Sequence, residues 1–113
     1  IQVEGMSLLD FLTIVSILCD NAIEASAEAG QPHVSIAFLK NGAQETFIIE
    51  NSIKEEGIDI SEIFSFGVSS KGEGRGVGLY TVMKTVESYP NASLNTTCQD
   101  QVFRHVLTMI HTE

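Results

Sequence analysis

Leu18-Cys19-Asp20-Asn21-Ala22-Ile23-Glu24-Ala25 lies toward the end of a run, Ser7 to about Ala29, whose apolar residues recur at Leu8, Phe11, Leu12, Val15, Leu18, Ala22 and Ala25. That spacing of i, i+3, i+4, i+7 is one face of an α-helix and predicts a long helix with a single buried stripe. Ser7 can cap its start with Asp10 in a weak capping-box role, and Gly30 followed by Pro32 closes it. Inside this helix Asn21 and Glu24 stand three apart, as neighbours on one face. A side-chain carbonyl and a carboxylate are hard oxygen ligands suited to Mg²⁺, with water and phosphate filling its remaining positions. Read alone, the pair fits the solvated side of an amphipathic helix better than a site.

Working outward, His33 to Leu39 alternates Val34, Ile36 and Phe38 against Ser35 and Ala37. Lys40-Asn41-Gly42-Ala43 reads as a turn, and Glu45 to Asn51 resumes with Phe47 and Ile49. The period of two puts Asn51 at the strand end on the side of the core residues, where its oxygen can accept from an adenine amino group. By itself Asn51-Ser52 only starts a turn. Beyond it come a polar stretch with Gly57 and a short apolar segment, Ile58 to Phe66, whose structure the pattern leaves open.

Five of nine glycines fall between Gly67 and Gly78, and Val77 to Tyr89 then shows helical spacing at Leu79, Val82, Met83 and Val86. A glycine loop therefore feeds a helix start, in Gly72-Glu73-Gly74-Arg75-Gly76-Val77-Gly78-Leu79. Glycines let backbone approach a phosphate, and the free N–H groups of a helix start present partial positive charge to it. Lys71 and Arg75 can add charge-assisted contacts. No GK[ST] follows and no strand directly precedes, so neither of the two commonest phosphate loops fits. Ala92 to Cys98 and Val102 to Ile110 read as two further strands, so consecutive hairpins favour a mainly antiparallel sheet with helices on one face.

The chain has 113 residues, 43% hydrophobic and 19% charged, enough apolar surface for one folded domain over residues 1–113. Its net charge is −9 with six Lys or Arg, which argues against nucleic-acid binding while leaving a single nucleotide possible. Cys19 and Cys98 have no metal-ligand spacing and are expected to be free thiols. No run of apolar residues approaches a membrane span. The sequence opens at Ile1 without Met or a signal-peptide pattern, and the expectation is a cytoplasmic piece of a larger protein.

In order, LCDNAIEA (residues 18–25), the strand ending in Asn51, and IFSFGVSSKG (63–72) running into GRGVGLYTV (74–82) resemble the GHKL ATP-binding domains of gyrases, heat-shock chaperones, histidine kinases and mismatch-repair proteins. Nearly the whole chain is covered. Within that family it is most similar to catalytic domains of peptide-pheromone receptor histidine kinases, the ComD and AgrC type. The resemblance implies an α+β two-layer sandwich of the Bergerat type, with a mainly antiparallel mixed sheet and the nucleotide between the helix layer and a lid. It implies Asn21 as the Mg²⁺-coordinating asparagine with Asp20 and Glu24 beside it, and Asn51 at the adenine position. Gly74, Gly76 and Gly78 would surround the phosphates with Lys71, Arg75, Val77 and Leu79, while Phe64 to Lys71 would form the F-box and lid. Ser65 to Gly74 is expected to be mobile and to order around ATP.

Two departures refine this. Members that hydrolyse ATP carry a Glu one turn before the Asn, and here that residue is Ile17, which cannot activate water. Transfer of the ATP γ-phosphate to a separate domain is favoured instead. The first glycine box becomes Asn51-Ser52-Ile53-Lys54, and an Asn is expected to hold adenine more weakly than an Asp. His33, His105 and His111 lie in no phosphoacceptor context. The resemblance thus implies a phospho-accepting His in an upstream dimerisation domain, a response regulator reached through the full-length kinase, dimerisation only through parts outside this chain, and a full-length protein in a bacterial plasma membrane. The alternatives are a degenerate nucleotide-site interaction module and an anti-sigma-type Ser/Thr protein kinase.

Overall fold

The computed structural model describes residues 3–53 and 77–111. Helix α1 spans Leu8–Ala27, strand β1 Val34–Asn41, β2 Gln44–Ser52, helix α2 Val77–Glu87, β3 Ala92–Gln99 and β4 Val102–Ile110. The strands lie in the order β1-β2-β4-β3, every pair antiparallel, and both helices pack on one face. This is the expected α+β sandwich. The Ile58 to Phe66 segment falls outside the described residues.

Both hairpins are tighter than the sequence suggests. Asn41 pairs with Gln44 and Gln99 with Val102, so each loop is two residues long. Gly42 has φ 61°, while Asp100 and Gln101 have φ 54° and 62°, the left-handed pair of a type I′ turn. A left-handed residue with a Cβ costs about 1–2 kcal/mol, and only Asp100 is of a type that tolerates the region well. Gln101→Gly should therefore stabilise the fold by about 1 kcal/mol, raising the thermal midpoint by about 4 °C. An unchanged or lower midpoint in a calorimetric scan would contradict this.

On β2, Glu45, Phe47, Ile49 and Asn51 face the helices, as do His105, Leu107 and Met109 on β4. Phe11 of α1 packs edge-on against Phe38 and Phe47, with centroids 5.8 and 5.9 Å apart. Burying such a ring contributes roughly 1.5–3 kcal/mol, and each aromatic pair about 0.5–1.5 more.

The buried stripe of α1 is rotated from the one its spacing suggests. Phe11, Ile14, Leu18, Ala22 and Ser26 are buried, whereas Leu8 and Leu12 are each 53% exposed. The helix is apolar around more than half its girth, so periodicity alone cannot choose the inward side. The choice falls to what it packs on, chiefly β2 and α2, with β1 touched only weakly. Ile36, on the inward side of edge strand β1, stays exposed for the same reason.

Ser7 caps α1, its Oγ accepting from the Asp10 N–H at 3.2 Å. The reciprocal half of the expected capping box is relayed. The Tyr89 hydroxyl accepts from the Ser7 N–H at 3.2 Å and donates to the Asp10 carboxylate. A residue beyond α2 thereby fixes the start of α1.

Candidate functional site

The start of α1 lies beside Gly5 and Tyr89, at the end of the sheet marked by Glu45 and Met109. Its other end leads through residues 28–33 into Val34, which pairs with Asn51. Asn21, Glu24 and Asn51 are therefore carried to the same end of the molecule. Helix α2 begins there too, because a Cβ added at Gly78 would stand 3.1 Å from the Ile17 methyl Cγ2 and 4.0 Å from Asn21 Nδ2. Gly78 is what allows the first turn of α2 to lie directly against this part of α1.

Asn21 and Glu24 are half-buried on α1, and both make contacts within the fold. Asn51 is 3% exposed and donates from Nδ2 to the Ser52 carbonyl at 3.0 Å, so its Oδ1 is the atom that can accept from a ligand. Leu79 packs against the core. Val77 is the first residue of α2. Lys71, Gly74, Arg75 and Gly76 lie outside the described residues, as does the F-box and lid segment.

Ile17, one turn before Asn21, packs against the core and toward Gly78. Burial first, and the Asp20 charge second, push the Cys19 thiol up, which disfavours the reactive thiolate. Both cysteines are free.

Among the described residues no three His, Cys, Asp or Glu side chains converge as a metal cluster. The donors at this end suit a hard cation shared with a phosphate: one Asn carbonyl, one nearby carboxylate and the start of a helix. Among the described residues no helix is long and apolar enough to cross a membrane.

Two polar residues that the sequence does not single out as special prove buried on the same sheet face. His105, 4% exposed, lies on β4, with Nδ1 2.8 Å from Thr96 Oγ1 and its ring edge-on to Phe103. Burial drives its pKa down to about 4. Glu45 is 0% exposed at the opposite end. Only the strand alternation, which aims both inward, signals them beforehand.

A family model described as a GHKL domain matches residues 6–110. No curated protein matches the chain. Among solved structures, the catalytic domain of histidine kinase ThkA superposes with a TM-score of 0.73 at 20% identity, covering 90% of this chain and 66% of that one. The mycobacterial sensor histidine kinase MprB gives 0.73 at 18% identity, over 93% of this chain and 72% of that one. Full-length ShkA in complex with AMPPNP gives 0.67 at 17% identity, over 92% of this chain and 22% of that one. At such identities the likeness is one of fold. The chain spans just under two thirds of the ThkA domain's length.

Proposed function

We propose, from the premise that this chain belongs to the GHKL domain family, that it is the ATP-binding catalytic domain of a sensor histidine kinase. It donates the ATP γ-phosphate to a His in a separate dimerisation domain, and in the whole protein serves a membrane receptor for a peptide signal with its response regulator. The observation that carries this reading is the packing of Gly78 against Ile17 and beside Asn21. That packing sets the start of α2, with its free backbone N–H groups, beside a side-chain carbonyl, a pairing that suits a metal-bound phosphate.

Each residue then has a task. Asn21 offers its side-chain oxygen to Mg²⁺, with Glu24 a turn away shaping the field around it. Mg²⁺ when bound supplies charge neutralisation across the phosphates. The start of α2, with Val77, Gly78 and Leu79, offers backbone N–H groups to phosphate oxygens, and Gly74, Gly76, Lys71 and Arg75, outside the described residues, are assigned further phosphate contacts by the family resemblance. Asn51 accepts from the adenine amino group at the sheet's end. Ile17 presents no base to water, which favours transfer to a presented imidazole over hydrolysis.

The test is calorimetric titration of Mg-ATP into the chain and into Asn21→Ala. Loss of one charge-assisted ligand should weaken binding by about 2 kcal/mol, roughly thirtyfold. Equal binding by both would remove Asn21 from the site. No binding by the parent at millimolar nucleotide would instead favour the degenerate interaction module.

A further inference from the structure

Ile17 and Asn21 stand one turn apart on α1, and the first turn of α2 lies against both. A Cβ added at Gly78 would come within 3.1 Å of the Ile17 Cγ2 methyl, tighter than side chains ordinarily pack, and within 4.0 Å of Asn21 Nδ2. No further carbon fits between the Gly78 backbone and that methyl unless one of them moves. A β-branched side chain on a helix keeps one χ1 rotamer about nine times in ten, so Cγ2 is held rigidly to the α1 backbone. Alanine or leucine would favour the helix more by propensity, but neither carries a methyl fixed in this way.

The body of α2 is anchored elsewhere. Val82 and Val86, one and two turns past Gly78, are buried in the core. Val82 lies about 6 Å along the helix from Gly78, at about 1.5 Å per residue, so it is the pivot about which a change at Gly78 tilts the first turn. The contact with Ile17 limits that tilt on the side of α1.

We propose that Ile17 is a positioning residue for the nucleotide: its Cγ2 methyl is the stop that sets how closely the free N–H groups of α2 approach Asn21. This inference rests on the nucleotide reading above and deepens it. An aliphatic side chain offers no bond to a phosphate or a metal, so Ile17 acts only through where it holds the helix start. Tolerance there is small, because Mg²⁺ takes oxygen ligands at about 2.0–2.1 Å, and one phosphate must meet both the metal and the N–H groups. A shift of a few tenths of an ångström between α1 and α2 is therefore felt in binding.

The experiment is calorimetric titration of Mg-ATP into the whole chain carrying Gly78→Ala, Ile17→Ala or both, beside Val86→Ala. Gly78→Ala is expected to bind about tenfold more weakly, because its methyl crowds Cγ2, although alanine favours a helix over glycine. The double variant should return to within about threefold of the parent, since the methyl added at 78 takes the place of the one removed at 17. Val86→Ala removes buried packing two turns away, so it should lower the thermal midpoint and leave binding unchanged. Amide signals of Asn21 and Leu79 should move in Gly78→Ala and return in the double variant, and the rest of each spectrum reports an intact fold. The role is overturned if the parent binds and Gly78→Ala binds equally well, if the losses of the two single variants add in the double, or if Val86→Ala weakens binding as much as Gly78→Ala. Absence of binding by the parent is a different result, which removes the nucleotide reading and this role with it.

Discussion

Glu45→Ala is expected to lower the unfolding free energy by about 3 kcal/mol, a large fraction of the 5–15 kcal/mol typical of a domain this size. The Glu45 carboxylate is buried, with Oε1 accepting from the Gly5 N–H at 2.7 Å and the Glu4 N–H at 3.1 Å, and Oε2 from the Glu4 N–H at 3.0 Å. Lys40 Nζ stands 3.7 Å from Oε2. Together these hold the strap of residues 3–6 across the end of the sheet. Gly5 lies so close there that an added Cβ would meet Met109 Cβ at 2.5 Å. Removing the carboxylate takes the side-chain acceptor away from the buried Gly5 N–H.

Glu45→Gln should fall between parent and Ala. It keeps one oxygen for Gly5 but turns an NH₂ toward the Glu4 N–H and Lys40. Glu50→Ala is the control, since its pair with Arg104, although 2.7 Å long, is half-exposed and should contribute no more than about 1 kcal/mol. Chemical denaturation of the set measures the order, and amide exchange at Glu4 and Gly5 locates the loss. A Glu45→Ala variant as stable as Glu50→Ala would mean that the bonds from Glu45 to the strap contribute no more than a surface ion pair.

The second large effect is a loss of stability in mild acid centred on His105. Its folded pKa of about 4 lies below the ordinary value of 6.5, so the unfolded chain binds the proton more readily than the native one. The contribution of the neutral imidazole is therefore fully present above pH 6.5 and declines as the pH falls toward 4. Over that window it amounts to about 3 kcal/mol, of which about 2 kcal/mol is lost between pH 7 and pH 5. The cause is desolvation: the ring is enclosed by Phe103 and the core, and Thr96 can give it or take from it one hydrogen bond but no compensating charge.

His105→Asn keeps a group that can bond Thr96 and removes the titration. Denaturation of parent and variant at pH 7 and pH 5 should show the parent losing about 2 kcal/mol more than the variant. Equal losses would place the acid sensitivity elsewhere.

What could be read in the sequence follows from local rules. The period of α1 and of the helix from Val77 and the alternation of four strands each depend on residues close in sequence, and these gave the described elements and the α+β class. Strand parity alone predicted that Asn51 would face the core, and helix spacing placed Asn21 and Glu24 side by side. Both hairpin loops are shorter than the sequence suggests; in the second, Asp100 and Gln101 adopt a left-handed pair, a conformation that Gln does not advertise.

Other features belong to tertiary structure. Helix α1 is apolar on too many sides for spacing to choose among them, and the sheet and α2 bury Ile14 while leaving Leu8 and Leu12 in solvent. Tyr89 completes the cap of a helix begun at the other end of the chain. Glu45 looks like an ordinary strand carboxylate until the strap folds over it. The approach of Gly78 to Asn21 could be expected only through a family resemblance. The sequence by itself determined which of the described segments are helix and strand, since those are short-range properties of the chain. Only the tertiary structure decided which faces are buried, which polar groups share an end of the sheet and which backbone each must satisfy, because those depend on contacts between segments that local spacing does not encode.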